Sequence, residues 1–366
     1  MRRVIIVLTV LTACAACGGF PAAVLPTPGG AASEERPVAS TGPHPSPSPV
    51  RSSVFAVVSG PGNVVRLMAS DGAVVASAEA APAPYRQQFL MSWTSATRSK
   101  VYFLSGTEVR FLAPDGTSGK VTQIALAAHQ QAGIAVSPDD RRIAVAIFSY
   151  TPNGDQTVSN PPTYDGMRLY VEDIVGGGHH RDIFASTQVA EFPIGWVSGK
   201  LVVAVSRPVC CQLLTINPYG ATTYHVVDPD TGERLVALCA NSTGPVGSVE
   251  AIGTGCWRNG TAPTFERWDG ASFPAPVAMP SPFQYLVALT QDGTKVAVGG
   301  DKIRIMRSTS EELLPIGGFV YGWLDSFHLV YAPVGGTVTV FDFLSRTSVD
   351  LASAYFYLGT FPAAIS

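Results

Sequence analysis

The chain has 366 residues, of which 46% are apolar and 14% charged, with 36 Gly and 29 Pro. Such a composition, with helical periodicity hard to find, argues against a helical protein and for an all-β chain punctuated by turns, long enough for one large domain or two small ones. A formal net charge of -3, with no Lys/Arg cluster beyond Arg141-Arg142, gives no footing for nucleic acid binding.

The first seventeen residues speak to location. Arg2 and Arg3 precede the apolar run Val4 to Leu11, which passes into Thr12-Ala13-Cys14-Ala15-Ala16-Cys17 and then Gly18-Gly19. Basic, apolar, then small residues is the layout of a secretory signal. The run is too short to cross about 30 Å of hydrocarbon, and no later stretch approaches about 18 uninterrupted apolar residues. Leu11-Thr12-Ala13-Cys14 resembles the lipobox of bacterial lipoproteins. The resemblance implies cleavage to a lipid-modified cysteine, with palmitate-type acyl chains holding the protein to the cell membrane on its extracytoplasmic side. Cys14 is the favoured lipid site because Leu stands three places before it. Cys17 is the alternative and would leave no odd thiol in the mature chain. A cleaved signal without lipid is the third reading, since an apolar segment alone does not separate the two fates. At about 0.8 kcal/mol per buried CH₂, several acyl chains anchor a protein without a spanning helix.

Residues 18–52 are dominated by Pro, Gly, Ala, Ser and Thr and end in Pro43-His44-Pro45-Ser46-Pro47-Ser48-Pro49. This composition cannot bury enough apolar surface to offset ordering, and the Pro-rich end favours extended backbone. The segment reads as a disordered linker, a stalk whose Ser/Thr/Pro content also suits O-linked sugar.

From residue 53 to 366 short β-type runs follow one another. Val54 to Val58, Val64 to Met68, Val101 to Leu104, Val109 to Leu112, Ile143 to Ile147 and Met167 to Val171 read as strands, separated by signals such as Asp71-Gly72, Asp115-Gly116, Asp230-Thr231-Gly232 and Asp292-Gly293. A faint repeat runs through them. Ala135-Val-Ser-Pro-Asp-Asp-Arg-Arg142-Ile-Ala-Val-Ala146 aligns without gaps on Ala288-Leu-Thr-Gln-Asp-Gly-Thr-Lys295-Val-Ala-Val-Gly299, and weaker copies begin at Trp93, Trp196 and Trp323. Starts about 35 to 60 residues apart mark propeller blades or solenoid turns. The pattern resembles the WD40-like and TolB-like β-propellers, whose blades often carry a Ser-Pro-Asp-Gly turn, and the resemblance implies a fold rather than a function. Seven blocks can be placed, at about 54–79, 85–127, 130–187, 190–240, 247–278, 284–316 and 319–350, with six and eight blades as alternatives. The first block shows three strands, and Ala354 to Phe361 is a strand without a blade. Adding it to the first block would close the ring and remove an open edge.

Cys210, Cys211, Cys239 and Cys256 fall in one quarter of the chain. In an exported protein an even, clustered set is most simply a disulfide framework, with Cys210 and Cys211 each joined to Cys239 or Cys256. A Cys₄ zinc site fits less well, because adjacent Cys210-Cys211 lacks the gap that lets two thiolates converge on one metal. His179-His180, after three glycines, suits a solvated turn better than a metal site, since neighbouring side chains in extended backbone diverge. His129, His225 and His328 stand alone, with no carboxylate pattern near them in sequence. Asp139-Asp140, Asp228, Asp230 and Glu233 lack calcium-loop spacing and read as turn formers. Trp93, Trp196 and Trp323 read as packing between blades, with glycan stacking as the sharper alternative. Tyr150 to Gly166, an insertion too long for a hairpin turn, reads as a face loop.

No nucleophile elbow, zinc-protease helix or phosphate loop is present, so no catalytic residue, cofactor or metal ligand is assigned. The expectation is a membrane-tethered propeller that binds a protein, peptide or envelope glycan. The alternative is a secreted propeller enzyme of lyase, lactonase or glycosidase type with its site at the channel mouth.

Overall fold

Runs of Val, Ile, Phe and Tyr, each closed by a turn rich in Asp and Gly, satisfy their backbone groups most readily by pairing with the next run, which produces antiparallel meanders. A computed structural model of the chain describes residues 54–60, 63–81, 93–152, 163–206, 221, 223–238, 256–258, 264–266, 272–274, 287–290, 294–307, 310–352 and 356–361. The chain divides into two units, Met1–Pro49 and Val50–Ser366, and every described residue belongs to the second. Among the described residues there are seven sheets and no helix.

The first sheet holds β1 (Phe55–Gly60), β2 (Val64–Met68) and β3 (Val74–Glu79), the second β4 (Thr94–Ala96), β5 (Val101–Ser105), β6 (Glu108–Leu112) and β7 (Ser118–Gln123). The third holds β8 (Gln130–Val136), β9 (Arg142–Thr151), β10 (Thr163–Asp173) and β11 (Arg181–Ser186), the fourth β12 (Ala190–Val197), β13 (Lys200–Ser206), β14 (Thr223–Val227) and β15 (Arg234–Leu238). The fifth shows β16 (Cys256–Arg258), β17 (Thr264–Glu266) and β18 (Ser272–Pro274). The sixth holds β19 (Val287–Leu289), β20 (Val296–Val298), β21 (Arg304–Met306) and β22 (Glu311–Leu313), the seventh β23 (Phe319–Trp323), β24 (His328–Ala332), β25 (Val338–Asp342) and β26 (Thr347–Ala352). The last strand, β27 (Phe356–Phe361), returns to the first sheet and pairs with β1, Phe55 opposite Phe361 and Ala56 opposite Thr360. Each of these sheets falls on one of the sequence blocks, and β27, the strand without a blade, pairs with β1 of the first, as expected.

The leading strands pack side by side, β27 on β4, β4 on β8, β8 on β12, β19 on β23 and β23 on β27. Meanders ranged in this way about their leading strands make a β-propeller, which leaves only short edges on its outside. Apolar clusters fill the spaces between neighbouring sheets. Phe148, Leu169, Phe192, Trp196 and Leu201 join the third to the fourth, Tyr102, Ile134 and Ile143 the second to the third, and Ile305, Trp323, Leu329 and Phe341 the sixth to the seventh. Each such side chain contributes about 1.5–3 kcal/mol when fully buried.

Polar side chains add directed bonds between leading strands. The Trp196 indole N–H donates to the Ala135 carbonyl at 3.1 Å, and the Trp323 indole donates to the Ala288 carbonyl at the same 3.1 Å. These are the residues that the repeat aligned. In both strands the register skips one residue just before the Gly-Trp pair, between Pro193 and Gly195 and between Val320 and Gly322. A bulge bends its strand and re-aims the next side chain, here onto the carbonyl of the preceding sheet. Ser95 Oγ accepts from Val136 N–H at 2.8 Å, and Thr360 Oγ1 donates to the Trp323 carbonyl at 3.0 Å.

Antiparallel order sends the connections alternately to two ends of the ring. At one end every turn between described strands is short, the longest running from Asp173 to Arg181. Ser198-Gly199, the hairpin between β12 and β13, has positive φ at both positions (45° and 75°), the geometry that matches the twist of the paired strands. At the other end the chain runs from Glu79 to Thr94, from Thr151 to Thr163 and from Ser206 to Thr223. The insertion at Tyr150 to Gly166 belongs to this end. Its arms are paired, Tyr150 opposite Tyr164 and Thr151 opposite Thr163, so the described part is a lengthened hairpin rather than a loop, and residues 153–162 lie outside the described residues.

Candidate functional site

Three stretches singled out in the sequence, around Arg142, His179-His180 and Asp230, meet at the short-turn end between the third and fourth sheets. They line a cleft of about 430 Å³ formed by Arg142, Asp173, His179, His180, Arg181 and Asp230. A second cleft of about 470 Å³ lies along the outer strand of the third sheet, lined by Arg168, Asp182, Ile183, Phe184 and Ala185.

The groups of the first cleft are engaged with one another. Arg142 on β9 donates to Asp230 of the β14–β15 turn at 2.8 Å, and Arg181 donates to the Thr231 carbonyl at 3.0 Å. His179 Nδ1 lies 2.7 Å from Asp173, whereas His180 Nδ1 lies 2.9 Å from Glu172 and its Nε2 3.5 Å from Asp182. The two imidazoles thus turn to different carboxylates. Among the described residues no three His, Cys, Asp or Glu side chains converge as a metal set would.

The aspartates shape turns. Asp228 Oδ1 accepts the N–H groups of Asp230 and Thr231, and Asp139 Oδ1 accepts the Ser137 hydroxyl at 2.7 Å. The Lys200 ammonium, with those two N–H groups, holds the Asp228 carboxyl down at about 2. Cross-sheet bonds brace the same end elsewhere. Ser99 on the second sheet bonds Asp140 on the third, and Lys295 on the sixth donates to the Ser326 carbonyl on the seventh at 2.6 Å. Lys295 also stands 5.1 Å from the Phe327 ring and 5.9 Å from those of Trp323 and Phe343, a cation held among three aromatic faces. These contacts make this end a brace between neighbouring sheets.

Trp196 and Trp323 are buried at 1% and 4% exposure, so they serve blade packing and not glycan stacking. Trp93 is half-buried and packs against the apolar clusters on both sides of the second sheet. Two arrangements escaped the sequence reading. His328 pairs at 2.8 Å with Asp325, three residues upstream, which corrects the view that it has no carboxylate near in sequence. Asp325 chiefly raises the His328 pKa. Glu191, 2% exposed, sits on β12 with both carboxylate oxygens 2.8 and 2.7 Å from Arg234 Nη2. Its only signal was a single charge inside the apolar run Val189 to Ile194.

Among the described residues, exposed large apolar side chains stand at both ends, Leu313, Phe319 and Val334 at the long-connection end and Val74, Val175, Phe327 and Leu344 at the short-turn end. Cys14, Cys17, Cys210, Cys211 and Cys239 lie outside the described residues, and of Cys256 only the backbone in β16 is described.

No family model matches the chain, and no curated protein matches it. Among solved structures, oligogalacturonate lyase from Vibrio parahaemolyticus aligns with a TM-score of 0.44 at 8% identity, over 66% of this chain and 73% of the lyase. A chain of the mitotic checkpoint complex aligns at 0.41 and 10% identity, over 87% of this chain and 90% of that one. BamB from Moraxella catarrhalis aligns at 0.37 and 15% identity, over 77% and 82%.

Proposed function

We propose that the chain is a membrane-tethered, extracytoplasmic β-propeller that acts as a binding or scaffold module for a protein, peptide or envelope glycan. Its tether is the linker 18–52, and its anchor is a lipidated Cys14, or Cys17 as the alternative. The observation that supports binding is the asymmetry of the ring. One end is closed by short turns, many of whose polar groups brace neighbouring sheets, while the other carries the long connections from Glu79 to Thr94, Thr151 to Thr163 and Ser206 to Thr223. Long connections on a rigid scaffold are where binding residues concentrate. The anchor rests on the basic, apolar and small-residue succession of residues 1–17. Cys210 and Cys211 each pair with Cys239 or Cys256, an arrangement that suits an oxidising compartment.

The anchor is tested by detergent-phase partition and palmitate labelling of the wild type, Cys14→Ser, Cys17→Ser and the double variant. The wild type should carry label and follow the detergent, and the double variant should do neither. An unlabelled wild type would overturn the anchor. Binding is tested by crosslinking in intact cells with the native chain as bait. Enrichment of one envelope protein or glycan-linked species supports it. No partner, together with release of sugar or ester from envelope polymers by the pure protein, would favour the secreted-enzyme reading.

A further inference from the structure

The outermost strand of the fourth sheet, β15, is exposed at four of its five residues, Arg234 to Ala237. Arg234 ties its first residue back across the sheet. The guanidinium passes over the Phe184 ring at 5.1 Å and holds Glu191, on the innermost strand β12, by both carboxylate oxygens. His225 on β14 is the second group beside that carboxylate. Its Nδ1 lies 3.9 Å from Glu191 Oε1 and is buried without a hydrogen-bond partner.

The other charged groups on the elements packed here are turned elsewhere. On β10, Arg168 lies over Tyr170, Asp165 accepts from Thr151, and Glu172 and Asp173 face the two histidines. On β11, Arg181 bonds the Thr231 carbonyl and Asp182 faces His180. Arg142 of β9 meets Asp230, and Lys200 of β13 meets Asp228. What β10 and β8 add is neutral. The Met167 sulfur lies 3.2 Å from the Glu191 backbone nitrogen, and Gln131 is buried with both amide atoms unpartnered.

We propose that Arg234 is a proton-released latch, which pins β15 to β12 through Glu191 near neutral pH and lets the strand loosen as Glu191 and His225 take up protons. The sign follows from linkage. Burial pushes Glu191 above the usual carboxylate range while Arg234 pulls it back. Burial, and after it Arg234, push His225 below the usual imidazole value. Withdrawing Arg234 with both groups in place therefore raises the proton affinity of each, so protonating either favours the withdrawn state. Glu191 thus takes up its proton above its ordinary 4.5 and His225 below its ordinary 6.5, and the strand loosens as pH falls through those two raised and lowered values.

Hydrogen exchange on the full-length chain, corrected for the intrinsic pH dependence of amide exchange, tests this. Between about pH 7.5 and about pH 4.5 the protection of the β15 amides that bond β14 should fall about tenfold, the size of one lost charge-assisted bond, while β13 keeps its protection. Glu191→Gln, which fixes the neutral form, should leave β15 loose at both values. Unchanged wild-type protection across the step, or wild-type protection in Glu191→Gln at about pH 7.5, would overturn the latch. Should that variant not fold, Arg234→Met decides: β15 loose at both values supports the latch, and β15 tight at about pH 7.5 overturns it.

Discussion

Replacing Trp196 by Phe keeps an aromatic ring between the third and fourth sheets and removes the N–H that the Ala135 carbonyl accepts at 3.1 Å. Ala135 is 1% exposed, so water cannot take the place of the indole; the carbonyl keeps its ladder partner on β9, where Ala135 pairs with Ala144, and losing the indole bond costs about 0.5–1.5 kcal/mol. The missing ring atoms leave a small void among Phe148, Phe192 and Leu201, worth about 1–2 kcal/mol more. The sum is roughly 1.5–3.5 kcal/mol. For a ring of about 300 residues, at about 2.1 cal/mol/K of unfolding entropy per residue, each kcal/mol moves the midpoint by about 1.5 °C. Calorimetry of the full chain should therefore show a melting temperature about 2–5 °C lower. Trp323→Phe should match it through the equivalent bond to Ala288, and the two losses should add because the residues lie on different sheets. Val334→Ser, at an 81% exposed site, should change stability by less than about 0.5 kcal/mol. A Trp196→Phe midpoint within about 1 °C of wild type would refute the claim that these indoles join successive blades.

Other consequences are as definite. Truncation before Phe356 removes β27 and bares the edge of β1, so the shortened chain should self-associate through that edge on size exclusion, and a monomer with the wild-type melting temperature would contradict the closure. Gly318 has φ 141°, and a Cβ there would overlap the Ala332 carbonyl; Gly318→Ala should cost about 1–3 kcal/mol in denaturant titration. Asp325 raises His328, and although burial pushes Asp325 up, His328 and two backbone N–H groups pull it below its usual value. The imidazole's share of stability is thus full below 6.5 and is lost as pH rises through its raised value. The carboxylate's share is full above 3.8 and is lost in acid. The gap in melting temperature between wild type and Asp325→Asn should therefore be larger near about pH 5.5 than near about pH 9, by the equivalent of about 1 kcal/mol. A gap that is flat with pH would contradict the pairing.

The blades were legible because turn chemistry is local. Asp-Gly and Ser-Pro-Asp-Asp need only their own residues to make a turn, and the gapless match of Ala135 to Ala288 marked two carbonyls that take up the same indole bond. The closing strand was legible for a different reason: a strand left over beside a three-stranded block has one economical place to go. What sequence could not reveal was pairing across sheets. Nothing near Glu191 in the chain announces Arg234 or His225, which approach it only when β12, β14 and β15 lie together. Asp230 reads as a turn former and Arg142 as half of an isolated basic pair until two sheets put them at 2.8 Å. The His328 pair could have been found, because Asp325 is three residues away across a tight turn, but a search for local patterns alone gives such spacing no weight.

The most direct measurement is photo-crosslinking in intact cells from single positions on the tethered chain, at Phe319 and Val334 on the long-connection end and at Val175 and Leu344 on the short-turn end, all of them exposed. The account predicts one envelope protein or glycan-linked species captured from Phe319 or Val334 and absent from Val175 and Leu344. Capture from the short-turn positions instead, or equally from both ends, would contradict it.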